Sequence, residues 1–259
     1  TFSVVFVHGL TGNRTRTWSH DGLLWPKDLL PKTLPNARIM TFGYDADVLN
    51  MWSTAGQNRI GHHGSSLARS LADFRDRTDM SNTPIIFVAH SLGGLVCESA
   101  ILECKNSAES QLHKIVENTR GIVFMGTPHA GADLANWATL FTNFTNLLRP
   151  TNHRIVEVLT PDSEVLAGIQ KDFHTMLRAR RDTHKPDINI MCFFEELPVA
   201  GVGLVVPHRS AILPSYGSQS IHANHMDMPK FSSEQDPGYL AVSTMLWRWQ
   251  KDLVMYARS

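Results

Sequence analysis

Three stretches of the chain set reactive side chains where apolar runs stop. FVAHSLGGLV (87–96) places His90 and Ser91 between one apolar run and a second that opens with two glycines. FVHGLTG (6–12) ends a run in His8-Gly9, and FFEELPV (193–199) ends another in paired carboxylates. A serine hydroxyl is a poor nucleophile until a base takes its proton and a carboxylate holds that base in one tautomer. The pattern small-x-Ser-x-Gly, filled by Ala89, His90, Ser91, Leu92 and Gly93, has the form of a nucleophile elbow, in which a strained strand-to-helix turn presents the serine. Small residues belong two before and two after the serine because that turn crowds their Cα atoms together. The competing reading is a serine that merely caps a helix.

An elbow needs donors for the negative charge that develops on the attacked carbonyl. In proteins that use this turn, one donor comes from the loop after an earlier strand and the other from the residue after the nucleophile. The corresponding groups are the backbone N–H of Leu10, which follows His8-Gly9, and that of Leu92. For the base, IHANHMDM (221–228) offers His222 and His225. Four carboxylates could orient it: Asp133, Glu195, Glu196 and Asp227. Glu195 and Glu196 end the same apolar run, and strand alternation sends them to opposite faces, so one at most can point at the site. His222-x-x-His225 could hold a metal, but no third ligand is spaced with it, and none is expected.

The elements that must position these groups follow from apolar periodicity. Runs rich in β-branched residues recur at 3–7, 38–42, 84–89, 121–125 and 188–194, with helix-like stretches between them. Runs without strict alternation suit strands buried on both faces, and intervening helices make them parallel, which is an α/β architecture. RIGHHGSSLARSLADF (59–74) puts Ile60, Leu67, Leu71 and Phe74 on one helical face. Asp236-Pro237 reads as the N-cap and first residue of a closing helix. Residues 132–183 interrupt this rhythm, carry their own apolar residues and a basic RARR, and read as a cap inserted into a single domain spanning 1–259.

Composition excludes several functions. The 259 residues are 42% hydrophobic and 19% charged, with 24 basic and 24 acidic side chains, so no net field favours nucleic acid or an anionic membrane. Cys97, Cys104 and Cys192 are too few and too apolar in setting for a disulfide framework and read as reduced core thiols, in keeping with a cytoplasmic setting. No apolar run reaches the ~20 residues that span a bilayer. The chain opens almost directly into a strand, which leaves room for neighbouring domains or a targeting segment in a longer parent chain.

FVHGL, RIMTFGYDAD, AHSLGGLV, GIVFMGTPHAGADLANW, FFEELPV with GVGLVV, and NHMDMPKFSSEQDPGY together resemble the lipase-like α/β-hydrolase domain of the serine-active-site-containing proteins. That domain also occurs at the N-terminus of fungal NOD-like receptors and is more distantly similar to GPI inositol-deacylase lipases. The resemblance runs in order from residue 2 to about residue 240, with the cap poorly matched; Ala89 in place of glycine is a departure. It implies Ser91 as nucleophile, His225 as base and Glu195 as acid, with no cofactor. It also implies that GTPHAG (126–131) borders the site, with His129 lining it. Phe141 and Phe144, among the apolar cap residues, either line an acyl or lipid ester channel or bury the cap on the body. The function so implied is a serine ester hydrolase; the rival is a signalling or interaction module of a larger receptor-like protein with little turnover.

Overall fold

The computed structural model describes residues 1–9, 12–44, 59–129, 139, 143, 160–183 and 185–256. In chain order the strands are β1 (Phe2–Val7), β2 (Ser19–His20), β3 (Leu23–Leu24), β4 (Ala37–Phe42), β5 (Ile85–His90), β6 (Thr119–Met125), β7 (Asn189–Glu195) and β8 (Gly217–Ile221). The helices are α1 (Trp25–Asp28), α2 (Leu30–Thr33), α3 (Arg59–Arg77), α4 (Gly93–Asn106), α5 (Ser110–Asn118), α6 (Thr160–Asp182), α7 (His208–Ala211) and α8 (Pro237–Tyr256). Six strands form one sheet in the order β4-β1-β5-β6-β7-β8, every pair parallel, while β2 and β3 make a separate hairpin.

The five sequence-expected strands are present, and both faces of the sheet are covered. Val5, Val7, Phe87, Ala89, Ile122 and Phe124 point into a core shared with α3, α4, α5 and α6. Their neighbours along the same strands, Val4, Phe6, Ile86, Val88, Val123 and Met125, point into a second core closed by Trp18, Trp25 and α8. Alternation therefore persists, but both of its phases are apolar, which is why the runs read as continuous. Asp236 caps α8: its Oδ1 accepts from the N–H groups of Gly238 (2.9 Å) and Tyr239 (3.3 Å). All three cysteines are free and buried.

The C-terminal part of the segment expected as a cap packs on the sheet. Residues 160–182 form α6, whose Leu166, Ala167, Phe173, Met176 and Leu177 are buried in the first core against α4. A parallel step from β6 to β7 requires a crossover, and α6 supplies it. Most of 132–159, with Asp133, Phe141 and Phe144, lies outside the described residues, as does Leu10. β8, GSQSI, carries almost no apolar side chain and was not expected as a strand.

Candidate active site

The site is built at the C-terminal ends of β1, β5, β6 and β7, where this kind of sheet presents its loops. Ser91 follows β5 directly and holds φ at +56°, a left-handed conformation that non-glycine residues rarely adopt. The strain is held by hydrogen bonds on both sides of the residue. Its N–H donates to the carbonyl of Met125 at the end of β6 (2.8 Å), and its carbonyl accepts from Gly94 N–H (3.1 Å) and the Thr127 hydroxyl (3.0 Å). α4 begins at Gly93, with Leu92 rather than Ser91 at the N-cap position. Leu92, the other residue expected at the oxyanion site, stands at the head of α4 with φ −64° and ψ −12°.

Two glycines let the β1 loop and the elbow interlock. A methyl group on Gly9 would lie 2.5 Å from Ser91 Cβ and 3.0 Å from its Oγ, and one on Gly93 would overlap the carbonyl oxygens of Val7 and His8. The loop after β1 thus touches the serine itself. Tyr44 secures it from behind: its hydroxyl donates to the His8 carbonyl (2.6 Å), and its ring stacks on the His8 imidazole at 4.3 Å with 7° between planes. Burial holds the His8 imidazole below its ordinary titration range.

The two glutamates at the end of β7 part as alternation requires. Glu195 is buried, and its Oε2 lies 2.5 Å from Nδ1 of the buried His225. Its other oxygen accepts from the backbone N–H of Val205 (2.5 Å) and Val206 (3.2 Å). The chain reaches that position because 199–203 turns back on itself, with Val199 N–H donating to Gly203 O and Gly203 N–H to Val199 O. A carboxylate that accepts from Nδ1 leaves Nε2 as the basic nitrogen of a neutral imidazole. Glu196 instead meets His222, Oε2 to Nδ1 at 2.8 Å, on the exposed surface. Asp227 is engaged by Asn224 (2.9 Å) and Lys230 (3.0 Å).

Serine and imidazole are brought to one place by contacts that no sequence motif announced. His90, beside the serine, uses Nε2 to bond the backbone carbonyl of His225 at 2.8 Å, and the two rings lie 5.0 Å apart. Since a carbonyl only accepts, His90 carries its proton on Nε2, and deep burial, with the neighbouring His225 ring next in weight, keeps the ring neutral. Gly126, with φ +59°, completes the approach: a methyl there would sit 2.9 Å from His225 Cε1. Ser91 N–H is bonded to the residue just before that glycine.

His129, expected to line the site, lies inside the protein with its side chain 1% exposed. Its ring meets Phe124 edge-on at 4.7 Å, and its Nδ1 is 2.9 Å from Gln170 Nε2. Gln170 also donates to both oxygens of Glu98 (3.3 Å each) and to the Pro128 carbonyl (3.2 Å), so α6 braces the 126–129 loop through this cluster. Burial pushes the Glu98 carboxyl up to about 8 and the His129 imidazole down to about 3. Although Glu98 and His129 stand 3.6 Å apart, both are neutral near pH 7 and do not form an ion pair. No group of three or more metal-ligating side chains occurs among the described residues.

A strained serine after a central strand, touching a His-Gly loop and tied to a buried imidazole–carboxylate pair, is matched by one family model. That model, described as "Putative serine esterase (DUF676)", covers residues 3–177. The chain belongs to this family. Among curated proteins, those similar to this chain include Protein SERAC1 of Homo sapiens, 28% identical over 250 residues, and that of Danio rerio, 27% over 254. In each case 88% of this chain and 36% of the relative are covered, so the chain spans about a third of the length of these relatives.

Among solved structures, lipase BlEst2 of Bacillus licheniformis in mature form matches with a TM-score of 0.56 at 16% identity, over 95% of this chain and 91% of that one. The Pyrococcus furiosus esterase Pf2001 matches at 0.52 and 13%, over 97% and 80%. A haloalkane dehalogenase loop variant from Bradyrhizobium elkanii matches at 0.51 and 13%, over 100% and 91%. These likenesses establish the α/β-hydrolase fold. A fold shared by esterases and a dehalogenase does not choose the chemistry.

Proposed function

We propose that this DUF676 domain is a serine carboxylic ester hydrolase that works through Ser91, His225 and Glu195. The observation that carries the reading is the buried Glu195–His225 pair at 2.5 Å, delivered to the elbow by the His90 tie. Ser91 Oγ attacks the ester carbonyl as His225 Nε2 takes its proton. The backbone N–H groups of Leu10 and Leu92 receive the oxyanion, and the imidazolium returns its proton to the departing alcohol. Water then attacks the acyl carbonyl held on Ser91 and gives its proton to the same nitrogen; as the Ser91 Oγ–acyl bond breaks, that proton returns to Oγ and the acid leaves. Glu195, with three donors on its two oxygens, orients the ring and faces the imidazolium as it forms. No step calls for a cofactor.

An acyl or lipid ester is the proposed substrate, resting on the apolar residues of the cap sequence that include Phe141 and Phe144. His129 is assigned to holding the 126–129 loop rather than to touching substrate. The length of the curated relatives supports placing this domain within a larger protein. A fluorophosphonate probe with a short-chain p-nitrophenyl ester tests the reading: the wild-type protein is labelled and turns over ester, and Ser91→Ala does neither. Folded wild-type protein that is neither labelled nor active would assign the domain to an interaction role.

A further inference from the structure

The basic stretch Arg178-Ala-Arg-Arg181 is not used by the hydrolase site, and the structure divides it in two. Arg180 is structural: it turns inward and donates to the carbonyls of Pro186 (2.6 Å), Val116 (3.1 Å) and Glu117 (3.3 Å). Arg178 and Arg181 remain outside, and neither donates a hydrogen bond or joins an ion pair among the described residues. With His174 and Leu177 they occupy positions i, i+3, i+4 and i+7 of α6, one face of the helix. That face forms a cleft of about 190 Å³ with the turn Leu213–Tyr216.

The cleft has two chemically distinct parts. Its floor is apolar, from the buried Leu177 and Leu213. Its rim carries two guanidinium groups, the Ser215 hydroxyl and Tyr216, and no carboxylate lines it. His174 adds a donor or acceptor, since its Nε2 is buried without a hydrogen-bond partner among the described residues. Burial, helped by the Arg178 charge, keeps this imidazole below its ordinary range. Asp187 acts on Tyr216 and Arg180, and Glu117 on Arg180, from outside the cleft lining.

We propose that this cleft binds a phosphate ester, with the phosphate between Arg178 and Arg181 and its organic substituent over Leu177 and Leu213. A carboxylate would leave donors unused, whereas a phosphate monoester offers about two negative charges and three terminal oxygens to two planar guanidiniums. The floor explains why a substituted phosphate fits better than the bare ion. The phosphate is carried either by a soluble monoester or by a lipid head group.

Phenyl phosphate titrated into the purified protein, followed by calorimetry or amide chemical shifts, tests the soluble source. Co-sedimentation with phosphatidylcholine vesicles, with and without phosphatidic acid, tests the lipid source. Binding is expected in at least one arm, and inorganic phosphate and benzyl alcohol should each bind more weakly than phenyl phosphate. The double variant Arg178→Gln/Arg181→Gln, both positions exposed, should weaken that binding by at least about tenfold. Lys171→Gln, one turn before the cleft and not among its lining residues, should not. Ser91→Ala should bind like the wild type, which separates this site from the fate of the hydrolase reading. Absence of binding in both arms, equal loss in Lys171→Gln, or undiminished binding by the double variant would overturn the proposal.

Discussion

Two glutamate–histidine pairs follow one another along the same loops, and only their surroundings differ. Glu195–His225 is buried, with the second carboxylate oxygen held by two backbone N–H groups. Glu196–His222, one residue along on one side and three back on the other, sits in solvent with side chains 40% and 79% exposed. An exposed pair is screened, pays side-chain entropy and fixes nothing firmly. A buried pair with its remaining lone pairs satisfied holds one tautomer and one ring orientation, which is what a general base requires. Proximity of Glu and His is therefore a weak functional signal; enclosure and additional donors distinguish the two pairs.

The comparison breaks if the exposed pair matters as much as the buried one. His225→Gln should lower ester kcat by about 10³-fold or more, and His222→Gln should stay within about twofold. Next in size, Glu195→Gln should cost roughly 10² to 10⁴ in kcat, as loss of an orienting carboxylate does, while Glu196→Gln costs less than tenfold. Steady-state kinetics on one ester with all four variants decides both points.

A third buried carboxyl sharpens the role of the donors. Glu98 is as enclosed as Glu195 but, among the described residues, accepts hydrogen bonds from the Gln170 amide alone, and its pKa is pushed up to about 8. In the unfolded chain it would titrate near 4.3, roughly the ordinary glutamate value. The folded state therefore binds this proton more tightly. The stability it contributes is complete below the unfolded value and is lost as pH rises through about 8. Thermal melts from acid to pH 9 should show the wild type losing a few kcal/mol that Glu98→Gln does not lose.

Smaller effects concern the tie between elbow and base. His90→Phe keeps the ring's bulk but removes the donor to the buried His225 carbonyl, so denaturant melts should show a loss of about 1–3 kcal/mol. Activity should fall about tenfold through a displaced imidazole. Smallest is the exposed pair's effect on stability. Hydrogen bonds from Ser220 and His222 hold the Glu196 carboxyl below its ordinary range, so its contribution is present at neutral pH and vanishes as acid protonates it. Glu196→Gln should change the melting temperature at pH 7 barely beyond detection, and at low pH not at all.

The sheet was legible because its strands are buried on both faces, so apolar runs marked them without ambiguity. β8 was not, since GSQSI exposes Gly217, Ser218 and Gln219 and exists as a strand only by pairing with β7. The crossover helix α6 was folded into the expected cap because its amphipathic pattern looks the same whether it covers a site or a sheet. Ser91 was readable from local crowding, and alternation showed that Glu195 and Glu196 must part. Choosing His225 over His222 rested on resemblance. The donors at Val205 and Val206 and the His90 tie come from loops far apart in sequence, and their one trace was GVGLVV, whose glycines Gly201 and Gly203 both have positive φ.

β8 pairs in register with β7, Glu195 beside Ile221, and then hands the chain to the loop that bears His225. It stands last in the sheet order, is polar, and is joined to the sheet along one side. Such a strand belongs to the least stable cooperative unit of a domain and can detach while the centre persists. Detachment would carry the base away from an elbow that stays folded. Activity should then disappear at lower urea concentration than tryptophan fluorescence, because Trp18 and Trp25 lie in the persistent core. Enzymatic half-life would report the dissociation of one short edge strand, and resistance to inactivation would be gained by sewing down β8 rather than by improving an interior that is already closed.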